Sequence, residues 1–181
     1  MRALADDQRI HLFMRALGAA SPAEARVYFT GGATAVLHGW RASTIDVDIR
    51  IVPEHDALFR AIPLLKEELQ INVELASPDQ FIPVKDGWEE RSPFVGREGR
   101  VSFHHFDLYA QALSKIERGH AQDVEDVQEM LNRGLVERGA LRAYFDAIAP
   151  RLYRYPALDP PAFRQAVDDA LGHGDPTGPG Q

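Results

Sequence analysis

The chain has 181 residues, 45% of them hydrophobic, a formal charge of −7 and no cysteine. That length suits one medium domain or a domain with an appendix, and the lack of cysteine excludes disulfides and thiolate metal sites. The acidic balance argues against a free-standing, sequence-nonspecific nucleic-acid binder, so no bulk DNA binding is expected. No apolar run is long enough to predict a membrane span, the first residues build no signal peptide, and a cytoplasmic protein is the default expectation.

In chain order, Asp7 to Ala19 carries Ile10, Phe13, Met14 and Leu17 at helical spacing. Arg26 to Thr30 is a short β-rich run, followed by Gly31-Gly32 and a short helical segment that Gly39 stops. Ile45 to Ile51 alternates, with Ile45, Val47, Ile49 and Ile51 on one face and Asp46, Asp48 and Arg50 on the other, and predicts a strand with one buried face. Glu54 to Gln70 predicts a helix bent at Pro63, and Ile71 to Leu75 a second alternating strand with Asn72 and Glu74 on its polar face. Residues 83–99 read as an irregular excursion, and Val101 to Phe106 as a fourth strand. Helices follow over 107–118, 123–133, 137–149 and 160–171, then a Gly/Pro-rich tail. This predicts an α+β protein: a small mixed-sheet core with an N-terminal helix over 1–106, a helical extension over 107–171 and a flexible tail over 172–181.

The chemistry concentrates on the acids. On a strand, Asp46 and Asp48 point the same way about 6.5–7 Å apart, and they repel by roughly 2 kcal/mol at a surface-like dielectric. A bound divalent cation would remove that repulsion. If the next strand is a neighbour, Glu74 joins them on the same face. Three carboxylates are hard oxygen ligands suited to Mg²⁺ or Mn²⁺, in the manner of sites for phosphoryl and nucleotidyl transfer. The competing reading is a solvated strand face whose charges pair with Arg50, Arg41 or Lys66.

Between a predicted strand and a predicted helix, Gly31-Gly32 would let a phosphate approach the backbone, and Thr34 would add a hydroxyl; a tight turn needing positive φ accounts for the same pair. No G-K-[ST] follows and no G-x-G-x-x-G is present, so neither a Walker A loop nor a dinucleotide fingerprint is involved.

Taken together, Phe29-Thr30-Gly31-Gly32, then Thr44-Ile45-Asp46-Val47-Asp48 thirteen residues after Gly32, then Val73-Glu74-Leu75 resemble the polymerase-β-like nucleotidyltransferase superfamily. Gly31 to Gly39 with Arg41, and Asp107 to Arg118 followed by Asp123-x-x-Asp126, look closer to one branch, the small bacterial nucleotidyltransferases that include abortive-infection (type IV) toxins. The resemblance spans about residues 26–130. It implies a mixed-sheet core that moves NMP from an NTP to a hydroxyl acceptor: a tRNA, a protein or a small molecule. It further implies Mg²⁺ (or Mn²⁺) on Asp46 and Asp48, with Glu74 as third acid and base. Gly31, Gly32 and Thr34 would hold phosphates, Lys115 would offset triphosphate charge, and Arg41 and Asp123 would orient groups or meet the acceptor. An antitoxin protein is the partner the branch implies. The turn departs from the commoner Gly-Ser, and the third acid is Glu rather than Asp.

Lys115, Arg118, Asp123 and Asp126 also read as helix-surface ion pairs. His104 and His105, adjacent on a strand, face opposite ways and are read as structural, as are His38, Trp40 and Trp88. The alternative function is a non-catalytic relative that binds a nucleotide or a partner protein.

Overall fold

The computed structural model describes residues 2–172, so the predicted tail lies outside them apart from Gly172. It has the expected α+β architecture, and the described residues divide into two compact units. The first runs to Gln80 and adds Gly87–Asp107; the second comprises Phe81–Asp86 and the chain from Leu108.

The first unit opens with β1 (Ala5–Asp6) and α1 (Asp7–Ala20), whose first turn is capped by Asp6 accepting from the Arg9 N–H at 2.9 Å. Then come β2 (Ala25–Thr30), α2 (Gly32–His38), β3 (Ser43–Thr44), β4 (Asp46–Val52), α3 (Asp56–Glu68), β5 (Asn72–Leu75), β6 (Phe94–Glu98) and β7 (Val101–His105). Five strands form one mixed sheet in the order β5-β4-β2-β7-β6. β2 runs antiparallel to β4 and parallel to β7, while β4 and β5 are parallel. The alternation in β4 buries Val47, Ile49 and Ile51 on one face, where they join Val27, Phe29, Val73 and Phe103. Helices α1 and α3 cover that face with Ile10, Phe13, Leu17, Leu58, Ile62 and Leu65, and burial of this surface makes the main core of the unit. The acids are left on the opposite face.

Two expectations need correction, and β3 and α3 add detail to the reading. Ile45 is not on the buried face: it lies before β4 and is 70% exposed, because the Thr44 hydroxyl bonds the Asp46 carbonyl at 3.0 Å and bends the chain there. β6 is a strand inside the segment read as irregular; it pairs with β7 through an irregularity at Phe94/Gly96, which interrupts the alternation a sequence reading depends on. β3 pairs with β1 in a two-stranded ladder that no motif announced. Helix α3 runs through Pro63.

The second unit packs α4 (Leu108–Arg118), α5 (Ala121–Asn132), α6 (Arg138–Ile148) and α7 (Pro160–Leu171). Phe145 and Phe163 meet at 5.0 Å between α6 and α7. The Phe81–Asp86 segment is tied to the helices: the Lys85 N–H donates to the Tyr144 hydroxyl at 3.1 Å, and Arg151 donates to the Val84 carbonyl at 2.9 Å. Among the described residues no helix is long and apolar enough to cross a membrane.

Candidate functional site

The sheet register sets Asp46, Asp48 and Glu74 on one face of two neighbouring strands. Asp46 lies opposite Asn72 and Asp48 opposite Glu74 on the parallel β4–β5 pair. Paired residues on adjacent strands share a face and sit about 5 Å apart. Asp46 and Asp48 are half-buried and Glu74 is exposed, so the cluster opens to solvent. Asn72 stands among them: its Nδ2 donates to Asp46 Oδ1 and, at 3.3 Å, to Glu74 Oε1. Sequence reading placed Asn72 on this face without giving it a part; its signal was the shared alternation with Glu74.

The glycine turn meets the same cluster from β2. Thr30 is the register partner of Asp48, so Gly31 follows directly beside that acid. Gly31 has φ 62°, a left-handed conformation that favours glycine, and a Cβ there would stand 3.0 Å from Asp48 Oδ2. At Gly32 a Cβ would run into the Thr44 side chain and stand 3.0 Å from an Arg41 terminal nitrogen. Gly31 is therefore required by its backbone conformation and Gly32 by packing. Arg41, half-buried, is placed against the first turn of α2.

Thr34 is buried on α2, with its Oγ1 3.0 Å from His105 Nδ1 and 3.4 Å from the Phe29 carbonyl. His105, on the helix-covered face, is held neutral: burial, then His38, then His104 lower its pKa to about 3. The His38 ring lies 4.3 Å from it and 5.5 Å from Trp40. His104 points to the other face, as the alternation requires, and stacks on Tyr28 at 5.4 Å. Trp88 closes over Tyr28 and Phe106 at 4.8 and 4.3 Å. Arg50, next along β4 from Asp48 on the acid face, has its guanidinium 5.4 Å from the Trp88 ring centroid and forms an ion pair with Asp79.

Lys115 and Asp123 belong to the second unit, and they are not surface charges. Lys115 Nζ lies 2.7 Å from Asp126 and 3.7 Å from Asp123, and all three side chains are buried. Burial pushes the Asp123 carboxyl up, but the Arg118 hydrogen bonds and charge, Lys115 and the His120 N–H outweigh it, and the net shift is down. Asp126, not Asp123, is the nearer partner of Lys115.

Chemically, the acid face of the first unit offers hard oxygen donors of the kind Mg²⁺ or Mn²⁺ takes. Among the described residues no three His, Asp or Glu side chains close around one point. Mg²⁺ is commonly held by one or two carboxylates together with substrate phosphates rather than by an all-protein cage, so the donor set fits such an ion. The profile of a family described as "Nucleotidyltransferase of unknown function (DUF6036)" matches residues 8–154. Searches of curated proteins and of solved structures find no match. By that match over most of its length, the chain belongs to this nucleotidyltransferase family.

Proposed function

We propose that the protein is a Mg²⁺-dependent nucleotidyltransferase that moves NMP from an NTP to an acceptor hydroxyl. The observation that supports this best is the register: Asp48 faces Glu74, with Asp46 one step along β4 and the Gly31 turn against Asp48. Asp46 and Asp48 would hold the metal, which when bound supplies charge neutralisation for the triphosphate and the departing pyrophosphate. The acceptor oxygen bonds to the α-phosphorus as the bond from that phosphorus to the β-phosphate's bridging oxygen breaks. Glu74, exposed and in reach of an incoming hydroxyl, takes the acceptor's proton. Gly31 and Gly32 keep the turn free of side chains beside the acids, where phosphates would lie. Thr34 serves here by fixing α2 through His105 rather than by touching the nucleotide.

Lys115, in the second unit, is paired with Asp126 and Asp123, and a role toward the triphosphate rests on the branch resemblance alone. Arg41 steadies the glycine turn. The acceptor remains a tRNA, a protein or a small molecule, and a toxin's role with an antitoxin protein as partner extends the same reading through the branch resemblance. The direct test is transfer: each α-labelled NTP is incubated with the protein, Mg²⁺ and each acceptor class. Label moved to one acceptor by wild type and not by Asp48→Asn supports the reading; no transfer to any acceptor counts against it.

One observation favours a second reading, a non-catalytic binder of a nucleotide or partner. Asn72 already satisfies part of two acids, and among the described residues no three acids converge. Nucleotide binding that needs no divalent cation and survives loss of Asp48 would support that reading instead.

A further inference from the structure

Asn72 has three polar partners, and they determine which way its amide faces. Its Nδ2 donates to Asp46 Oδ1 and to Glu74 Oε1, the latter at 3.3 Å. Its Oδ1 accepts from Arg2 Nη1 at 3.1 Å, while Arg2 Nη2 pairs with Glu67 on α3. Arginine only donates and carboxylates only accept. Exchanging the amide's oxygen and nitrogen would therefore set donor against donor and acceptor against acceptor in all three contacts. Arg2 is itself located by the backbone, because the Ala3 N–H donates to the Gln70 carbonyl at 3.0 Å, two residues before Asn72.

We propose that Asn72 is a positioning residue for the acid site, and that Arg2 fixes its orientation. A single neutral amide draws the carboxylates of two strands toward one another, which their charges would otherwise oppose. Neither Arg2 nor Asn72 has to touch substrate. They act through Asp46 and Glu74, as hydrogen-bonding neighbours of ligands do when they set ligand direction. Asn72 is half-buried at the sheet's edge and its neighbours Ile71 and Val73 carry the packing, so its polar side chain is not needed for the core. The inference rests on the reading of Asp46 and Asp48 as metal ligands.

Mn²⁺ alone, without nucleotide, is the probe. Its dissociation constant is measured by electron paramagnetic resonance on the full chain for wild type, Asp46→Asn/Asp48→Asn, Asn72→Ala, Arg2→Met and Arg2→Met/Asn72→Ala. Metal-free melting curves confirm that each variant folds. Asn72→Ala is expected to weaken Mn²⁺ binding roughly tenfold or more, Arg2→Met less, and the double variant no more than Asn72→Ala alone, because Arg2 acts only through Asn72. If Asn72→Ala does not fold, Arg2→Met carries the test, its side chain being partly exposed. Wild-type affinity in Asn72→Ala, or in Arg2→Met where that variant stands alone, overturns the proposal while leaving the acid site intact, provided Asp46→Asn/Asp48→Asn loses the ion. An Arg2→Met effect that persists in full on the Asn72→Ala background also overturns it. A wild type that binds no Mn²⁺ overturns the underlying reading and this proposal together.

Discussion

Asp48 and Glu74 are register partners on adjacent parallel strands, two carboxylates side by side on the open face of the sheet. Glu74 is exposed, so solvent reduces their repulsion to less than about 1 kcal/mol. Glu74→Gln is therefore expected to leave the metal-free melting temperature unchanged or a few degrees higher. As the proposed base it is expected to lose on the order of 10²–10⁴ in turnover. Thermal melts and transfer assays on the same sample check both; a lower melting temperature with turnover intact would make Glu74 structural.

The glycine turn gives a graded pair. Gly31→Ala forces a side chain into a left-handed backbone beside Asp48, at about 1–2 kcal/mol. Gly32→Ala adds a collision with Thr44 inside the fold, expected to cost about 1–3 kcal/mol. Urea unfolding measures both. Gly31→Ala is expected to weaken NTP binding beyond its effect on stability, since it displaces Asp48.

Lys115 and Asp126 are buried together at 2.7 Å. Removing one charge of a buried pair costs about 3–5 kcal/mol, whereas replacing both with apolar groups is often neutral. Lys115→Met is expected to fall in that range and Lys115→Met/Asp126→Leu to recover most of it, as read by denaturant midpoints. A single variant as stable as wild type would place these charges in solvent.

Acid sensitivity follows from two groups. His105 is held neutral, with a folded pKa of about 3 against an ordinary 6.5. Between those values the unfolded chain binds the extra proton, so stability is lost as pH falls from 6.5 toward 3. Asp123, depressed below its ordinary 3.8, adds stability that is present above that pH and is lost as pH falls further, through its folded value. Melting temperatures from pH 7 to 4 are expected to drop in wild type and to flatten in His105→Gln.

Much of the first unit was legible because β4 and β5 each bury one face, and a period of two is read directly from Asp46 to Ile51 and from Asn72 to Glu74. The register that joins Asp48 to Glu74 was not legible, since pairing is a tertiary fact. β6 escaped because Pro93, Gly96 and its charges hide the alternation around an irregular pairing. The burial of Asp123 and Asp126 left a signal that was passed over: with Val127 and Met130 they occupy one helical stripe, spaced i, i+3, i+4 and i+7. Acids on an apolar stripe point to a buried partner, and Lys115 supplies it.

The most direct measurement is calorimetric binding of each of the four NTPs, with and without Mg²⁺, to wild type and to Asp46→Asn/Asp48→Asn. The expected result is Mg²⁺-dependent binding of at least one NTP by wild type and its loss in the folded double variant. NTP binding that is indifferent to Mg²⁺ and retained by the variant would contradict a metal-dependent nucleotide site at these acids.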